Sequence, residues 1–117
     1  MKLMIVEDND QMRRLIRSFM AKIADQICEC SDGAEAVTVY AAHRPDWVLM
    51  DVQMKEMDGI TATRRIREIS ADAHIIIVTQ YSDAEIRDAA LEAGACGFVL
   101  KENLSELLLL LGGKFGD

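Results

Sequence analysis

The sequence has few of the residues that stabilise small secreted domains or interrupt regular structure. Its 117 residues include three cysteines, one proline and one tryptophan. Cys28, Cys30 and Cys96 are odd in number, and their spacing fits neither a zinc ribbon nor a disulfide framework. We interpret them as small, buried, reduced side chains, which disfavours a secreted disulfide fold and favours a cytoplasmic location.

Long apolar runs and an excess of positive charge are also missing. No run approaches the roughly 20 residues of a membrane span, and the opening MKLMIV is too short for a signal peptide. The formal net charge of −7 disfavours direct nucleic-acid binding, since phosphates attract the opposite sign. The basic segments TRRIRE and MRRLIR alternate with apolar core positions, so we interpret them as mostly solvated helix faces. We therefore expect neither membrane nor nucleic-acid partners for this single domain.

Five short apolar runs are present, separated by segments of helical periodicity. The runs are continuous, which is typical of strands covered on both faces. They are LMIV (3–6), QICEC (26–30), WVLM (47–50), IIIV (75–78) and GFVL (97–100). This alternation predicts an α/β fold, a doubly wound five-stranded parallel sheet in the order 2-1-3-4-5 with five helices.

The first and last helices are predicted from apolar stripes with a spacing of three and four residues. After Asn9 or Asp10 as a cap, the first stripe comprises Met12, Leu15, Ile16, Phe19, Met20 and Ile23. The last stripe opens at Asn103, stops at Gly112 and Gly113, and comprises Leu104, Leu107, Leu108 and Leu111. Leu109 and Leu110 point away from this stripe, so we predict that they cover a partner surface or a neighbouring domain.

Polar side chains follow the predicted strands at ends that share one edge of the sheet. Glu7 and Asp8 follow the first strand, Asp51 the third, Thr79 the fourth and Lys101 the fifth. Taken singly, these residues have simpler interpretations as helix caps, turn residues or a solvated lysine. Together they predict one crevice at which Mg²⁺ neutralises the carboxylates. A nucleophilic carboxylate beside that ion can accept a phosphoryl group whose charge the lysine and the hydroxyl stabilise.

The segments MIVEDND, VLMDVQM, MDG, VTQYSD and GACGFVLKENL together resemble the receiver domain of two-component response regulators. The resemblance covers essentially the whole chain, 1–117, and implies the flavodoxin-like receiver fold. The stretch VTQYSD…AGACGFVLKENLSEL further resembles the NarL/LuxR-type subgroup, whose members usually carry a C-terminal helix-turn-helix DNA-binding domain. The short last helix, which ends in glycines, favours a receiver cut from such a longer regulator.

The resemblance implies that Asp51 is the phosphoacceptor and that the domain is a signalling switch rather than an enzyme. Glu7, Asp8, Asp51 and the backbone carbonyl of Gln53 would hold Mg²⁺. The donors it implies are a phosphohistidine on a sensor histidine kinase and small acyl phosphates.

The resemblance also assigns the switch residues. Thr79 would turn toward the phosphoryl group, Lys101 would pair with that group, and Tyr81 would change rotamer with activation. Phosphorylation would then alter the surface formed by helix 4, strand 5 and helix 5, which controls homodimerisation or an output domain. Lys55 and Glu102 stand where many family members have proline, so the role of Lys55 and the backbone conformation at Lys101 stay open.

Three alternatives remain at this point. A Mg²⁺-dependent phosphatase of the haloacid-dehalogenase type would need a second carboxylate two residues after the nucleophile, where this chain has Gln53. A flavodoxin-like electron carrier would need a hydroxyl-rich phosphate loop after strand 1, where this chain has EDND. A phosphorylation-idle receiver used only for dimerisation would keep the fold without using the acidic pocket.

Overall fold

Five parallel strands alternate with helices in the computed structural model of the protein, which describes residues 1–112. The strands are β1 (Lys2–Val6), β2 (Gln26–Cys30), β3 (Trp47–Met50), β4 (Ile75–Thr79) and β5 (Gly97–Leu100). The helices are α1 (Asp10–Met20), α2 (Gly33–His43), α3 (Gly59–Ile69), α4 (Ala84–Ala93) and α5 (Ser105–Leu107). A 3₁₀ turn at Lys101–Asn103 precedes α5, and a π-helical segment, Leu108–Gly112, continues it.

The sheet has the order β2-β1-β3-β4-β5, which confirms the predicted topology. In this register Val6 pairs with both Cys30 and Met50, so β1 and β3 end side by side at the point where the strand order reverses. Thr79 is the last residue of β4 rather than the residue after it, and it pairs with Leu100. The next residue after Leu100 is Lys101, which places the lysine at the same edge.

The core lies on both faces of the sheet because successive strand residues point to opposite sides. From β1, Leu3 and Ile5 pack in the cluster that contains Ile16 and Met20 of α1. The alternate residue Met4 packs in the cluster that α2 and α3 cover. This explains the continuous apolar runs of β1, β3 and β4, whose central residues are buried.

The edge strand β2 departs from the prediction that every strand is covered on both faces. It pairs only with β1, and its residues Gln26 and Glu29 are exposed. The cysteines differ similarly: Cys30 is buried and Cys28 half-buried, but Cys96 is exposed, so its predicted burial is wrong. None of the described helices has the length and apolar character needed to cross a membrane.

The structure decides which of the two predicted residues caps helix α1. Asn9 is the cap, since its side chain accepts a hydrogen bond from the Met12 N–H at 2.8 Å, and Asp10 is the first helical residue. Two members of the predicted stripe are misplaced. Leu15 is 45% exposed, and Ile23 lies beyond the end of the helix at Met20.

The last helical segment is more irregular than its leucine spacing predicts. Asn103 lies in the 3₁₀ turn rather than opening a regular helix, and the π-helical segment ends at Gly112; Gly113 lies outside the described residues. Leu109 is 75% exposed and Leu110 is 47% exposed, which agrees with their predicted direction away from the sheet. The three leucines that fill the core beneath them are Leu104, Leu107 and Leu111.

Candidate functional site

The carboxyl ends of β1 and β3 hold two carboxylates at fixed positions. The Glu7 N–H donates to the Cys30 carbonyl at 3.0 Å, and the Asp51 N–H donates to the Val6 carbonyl at 3.0 Å. The sheet therefore continues for one residue past each strand, because these main-chain groups still find partners on the neighbouring strand. Glu7 is 1% exposed and Asp51 5% exposed, whereas Asp8 is exposed.

Three carboxylates converge at this edge. Ligand oxygens of Glu7, Asp8 and Asp51 all lie within 4.8 Å of one another. They line a cavity of about 440 Å³ whose wall also includes Gln53 and Lys101. The structure thus brings together the acidic residues that the sequence places more than 40 positions apart.

Lys101 lies between the two buried carboxylates. Its Nζ is 2.8 Å from Oε1 of Glu7 and 3.3 Å from Oδ1 of Asp51. Oδ1 of Asp51 also accepts the Val52 N–H at 2.9 Å, and Oε2 of Glu7 accepts the Asn9 N–H at 3.1 Å. One ammonium and two amides therefore hold the orientation of both carboxylates.

The electrostatics of this cluster are unbalanced. Burial raises the pKa of Asp51 to about 7, the negative charge of Glu7 adds to that effect, and Lys101 opposes it. Burial alone would lower the pKa of Lys101, but the hydrogen bond to Glu7 and the charges of both carboxylates outweigh it and raise that pKa. The lysine thus stays charged, and one cation faces three carboxylates.

The donor set fits a divalent cation. Oε1 of Glu7 is buried, and its close polar partner is the Lys101 ammonium at 2.8 Å, which Glu7 shares with Asp51. Buried carboxylates that share one ammonium beside a third carboxylate are suited to a hard ion with oxygen ligands. Mg²⁺, which keeps several waters and needs few protein carboxylates, matches this number of donors.

Thr79 and Tyr81 are linked to each other and to the β3–α3 loop. Thr79 is buried, and its Oγ1 accepts the Tyr81 N–H at 3.2 Å. The Tyr81 hydroxyl donates to Oε1 of Gln53 at 2.9 Å, which connects the loop after β4 to the loop after β3. Tyr81 and Gln53 line the cavity, but Thr79 is not among the described residues in its wall.

The β3–α3 loop folds back closely on the Asp51 main chain. The Gly59 N–H donates to the Val52 carbonyl at 2.8 Å, and a Cβ built on Gly59 would lie 1.7 Å from the Asp51 carbonyl oxygen. Only glycine permits that approach. Lys55 is exposed on this loop: its carbonyl accepts the Met57 N–H at 2.7 Å, and its side chain forms no hydrogen bond or ion pair with residues 1–112. No peptide bond among residues 1–112 is cis, so the bond between Lys101 and Glu102 is trans.

Arg13 is a site neighbour that the sequence analysis missed. The interpretation of MRRLIR as a solvated face is wrong for this residue: its side chain is 19% exposed, and Nη1 donates to the Glu7 carbonyl at 2.8 Å. The same guanidinium contacts Asp10 and Glu29. Asp10, three positions before Arg13 on the helix, was a sequence signal for an ion pair with Arg13. The contact with the Glu7 carbonyl has no such signal, because a main-chain acceptor does not depend on residue type. Leu109 and Leu110, by contrast, lie outside this site.

Comparison with known proteins identifies a family for the fold and the site. Residues 3–111 match the response regulator receiver domain family. The chemotaxis protein CheY of Halobacterium salinarum is 38% identical over 100 residues, covering 86% of this chain and 83% of that protein. The uncharacterized transcriptional regulatory protein YhcZ of Bacillus subtilis is 40% identical over 111 residues, covering 93% of this chain but 52% of that protein.

A similar solved structure is that of a LuxR-family two-component response regulator from Aurantimonas sp. SI85-9A1. Its TM-score is 0.88 at 31% identity, with coverage of 97% of this chain and 84% of that chain. The match extends over all five strands, which confirms the receiver fold predicted from the sequence. The chain therefore belongs to the response regulator receiver family, the phosphorylation-dependent signalling domains of two-component systems.

Proposed function

We propose that this chain accepts a phosphoryl group on Asp51, from a sensor histidine kinase or a small acyl phosphate, and acts as a Mg²⁺-dependent switch. The observation that carries the proposal is the position of Lys101 between Glu7 and Asp51, at 2.8 and 3.3 Å. A lysine shared by two buried carboxylates is ready to pair with incoming phosphoryl oxygens instead. This is an arrangement for phosphoryl binding rather than for stability alone, since buried charge clusters contribute little net stability.

The attacking atom follows from the contacts of Asp51. Its Oδ1 already accepts the Val52 N–H and contacts Lys101, so Oδ2 is the oxygen we assign to attack. A phosphorus–oxygen bond forms to Oδ2 while the bond from phosphorus to the donor nitrogen or oxygen breaks, and the leaving group takes the electron pair. Glu7, Asp8, Asp51 and the Gln53 backbone carbonyl would hold Mg²⁺. When bound, the ion supplies positive charge to the cluster and the transferred group.

The switch uses contacts already present around Thr79. Its hydroxyl would leave the Tyr81 N–H and turn toward the phosphoryl group, and Lys101 would follow from Glu7. Tyr81 would then give up its hydroxyl bond to Gln53 and repack against α4 and β5. The result is a population shift between two packings that changes the α4–β5–α5 surface.

A relative supports the ligand chemistry. A complex of CheX and CheY from Borrelia burgdorferi was solved with BeF₃ and Mg²⁺, and its matched chain has a TM-score of 0.85 at 28% identity. BeF₃ resembles a phosphoryl group, so the Borrelia complex contains counterparts of both ligands that we propose for the present chain. The match covers 97% of the present chain and 87% of the Borrelia chain.

We further propose a NarL/LuxR-type regulator that acts in the cytoplasm. The support is the LuxR-family neighbour and the transcriptional relative YhcZ, of which this chain spans about half the length. The output would be transcriptional, through a C-terminal helix-turn-helix domain or a homodimer formed by the α4–β5–α5 surface. Leu109 and Leu110 remain the candidate contact residues, because both are exposed in the π-helical segment that follows α5.

A multiple-turnover phosphatase is disfavoured by Gln53. An amide at this position cannot act as the general acid, and its side-chain oxygen is occupied by the Tyr81 hydroxyl at 2.9 Å. The aspartyl phosphate would therefore persist as a signal. It would hydrolyse slowly by the domain's own chemistry.

The test is covalent labelling. The chain is incubated with Mg²⁺ and acetyl phosphate, and intact mass spectrometry should show a gain of one phosphoryl group. Asp51→Asn should abolish the gain, whereas Asp58→Asn, which changes an exposed carboxylate at the cap of α3, should keep it. Equal labelling of the Asp51→Asn variant would refute the assignment. Sustained phosphate release would favour the phosphatase, and no labelling would favour the idle dimerisation module.

A further inference from the structure

Arg13 joins three separate segments around the acidic site. Its Nη1 donates to the Glu7 carbonyl at 2.8 Å, its Nη2 to Oδ1 of Asp10 at 2.6 Å, and its Nε to Oε1 of Glu29 at 3.1 Å. The three acceptors belong to the loop after β1, to α1 and to β2. All three sides of the guanidinium are therefore used, and its orientation is determined.

The contact with Glu7 completes a strand end. Glu7 lies one residue past β1, and its N–H still reaches the Cys30 carbonyl at 3.0 Å. Since β2 ends at Cys30, the sheet ladder stops there, and the Glu7 carbonyl takes its hydrogen bond from Arg13 instead. Both main-chain polar groups of this residue are thus held, one by the sheet and one by α1.

Asp8 depends on this anchoring more than Glu7 does. The Glu7 side chain has its own contacts, with the Asn9 N–H at 3.1 Å and Lys101 at 2.8 Å. Within residues 1–112 the exposed Asp8 carboxylate forms no hydrogen bond or ion pair, yet its oxygen lies within 4.8 Å of the other two carboxylates. Its direction toward the cluster is set by the main chain, and Arg13 bonds the carbonyl of the peptide that joins Glu7 to Asp8.

We propose that Arg13 is a positioning residue for the metal site: it fixes the Glu7–Asp8 peptide so that both carboxylates face one divalent cation. This rests on the function proposed above. The residue contacts no reacting atom, and it acts through the main chain of the ligands. Groups that orient metal ligands typically change metal affinity by about 10- to 100-fold when removed.

A purely electrostatic role predicts the opposite sign. Removing a nearby positive charge lowers the repulsion of a cation, so loss of Arg13 would raise Mg²⁺ affinity by up to about twofold at physiological salt. Loss of positioning lowers the affinity instead. Arg17 is a matched control, since it lies one turn further along α1 and pairs with the same Glu29 at 2.5 Å. Among residues 1–112, the Arg17 side chain forms no hydrogen bond or ion pair with the site loop.

The experiment measures Mg²⁺ binding by calorimetry in the parent chain and in Arg13→Met, Arg17→Met and Arg13→Lys, with folding checked by circular dichroism. Arg13→Met should weaken Mg²⁺ binding by about tenfold, whereas Arg17→Met should stay within about twofold of the parent. Arg13→Lys keeps the positive charge but loses the planar guanidinium, so any loss of Mg²⁺ affinity in this variant comes from lost positioning. We expect its loss to lie between those of Arg17→Met and Arg13→Met. If Arg13→Met fails to fold, Arg13→Lys decides.

A second readout is the rate of labelling by acetyl phosphate across Mg²⁺ concentrations. The half-saturating concentration should rise in the Arg13 variants, and the rate at saturating Mg²⁺ should match the parent. Equal Mg²⁺ affinity in the Arg13 and Arg17 variants, or parental affinity in Arg13→Lys, would overturn the positioning role alone. A parent that neither binds Mg²⁺ nor labels at Asp51 would overturn the proposed function and this inference with it.

Discussion

Replacing Asp51 by asparagine should stabilise the metal-free protein at neutral and alkaline pH, although it should abolish phosphorylation. Asp51 is 5% exposed and lies beside Glu7, so its anion is disfavoured in the folded state. Burial raises its pKa from 3.8 to about 7. Folded molecules therefore bind this proton more tightly than unfolded ones, and the stability it contributes is complete below pH 3.8 and is lost as the pH rises through 7.

The magnitude follows from that displacement. A pKa raised from 3.8 to about 7 corresponds to about 4 kcal/mol of unfolding free energy above pH 7, as an upper limit. Asparagine does not titrate, but its amide is still buried, and the free-energy cost of burying the amide does not depend on pH. The difference between the stabilities at two pH values therefore does not contain that cost. The advantage of the Asp51→Asn variant over the parent should be about 2.7 kcal/mol larger at pH 8 than at pH 5, because the proton's contribution falls by about 1.36 kcal/mol per pH unit between pH 5 and the pKa near 7.

Urea unfolding in EDTA at both pH values measures this difference. Asp58→Asn is the control: hydrogen bonds from the Thr61 and Ile60 amides lower the pKa of Asp58 despite the effect of burial, so it stays ionised at pH 5 and pH 8. Its difference from the parent should not change between them. Added Mg²⁺ at 100 times its dissociation constant should stabilise the parent by about 2.7 kcal/mol and the Asp51→Asn variant by less.

One result would refute this reasoning. If the stability gap between parent and Asp51→Asn is the same at pH 5 and pH 8 in EDTA, the buried carboxylates do not oppose one another. The acidic cluster would then be an ordinary solvated surface, and the argument for a resident cation would lose its physical basis.

Three further predictions concern the switch, the loop and the last helix. Thr79→Ala should still label with acetyl phosphate, but the tyrosine fluorescence and partner binding of the labelled form should not change; a parental response would contradict the switch role. Gly59→Ala should lower the unfolding free energy by about 2–3 kcal/mol in urea, because its Cβ would lie 1.7 Å from the Asp51 carbonyl oxygen; Gly97→Ala, whose Cβ would lie 3.3 Å from Ile76, should cost less. Leu109→Gln should leave stability within about 0.5 kcal/mol but weaken self-association measured by analytical ultracentrifugation, and unchanged association would exclude it from the interface.

The sequence predicts the sheet well because burial on both faces leaves a direct signature. The runs LMIV, WVLM and IIIV have no polar interruption, and they belong to β1, β3 and β4, the strands with neighbours on both sides. The edge strand gives a weaker signal: Glu29 interrupts QICEC because that face of β2 is open to solvent and to the arginines of α1. Composition alone does not separate an edge strand from a central one.

The site was predictable to the extent that strand ends determine it. Glu7, Asp51 and Lys101 each come directly after a strand, so the sheet order suffices to bring them together. The role of Arg13 was not predicted because its partner is a main-chain carbonyl, which every residue has. The π-helical segment Leu108–Gly112 was missed because the leucine spacing there fits a regular helix equally well.

The ion pairs between the arginines of α1 and Glu29 of β2 have a consequence for the edge of the sheet. An outer strand presents unpaired amides and carbonyls to which another molecule can add, and charged side chains on that strand discourage such growth. Glu29 is the fourth of the five residues of β2, and it pairs with Arg13 and Arg17 of α1. The opposite border of the sheet, β5, is four residues long, which leaves little length for an added strand. Both edges of this sheet therefore disfavour the edge-to-edge strand pairing from which fibres grow.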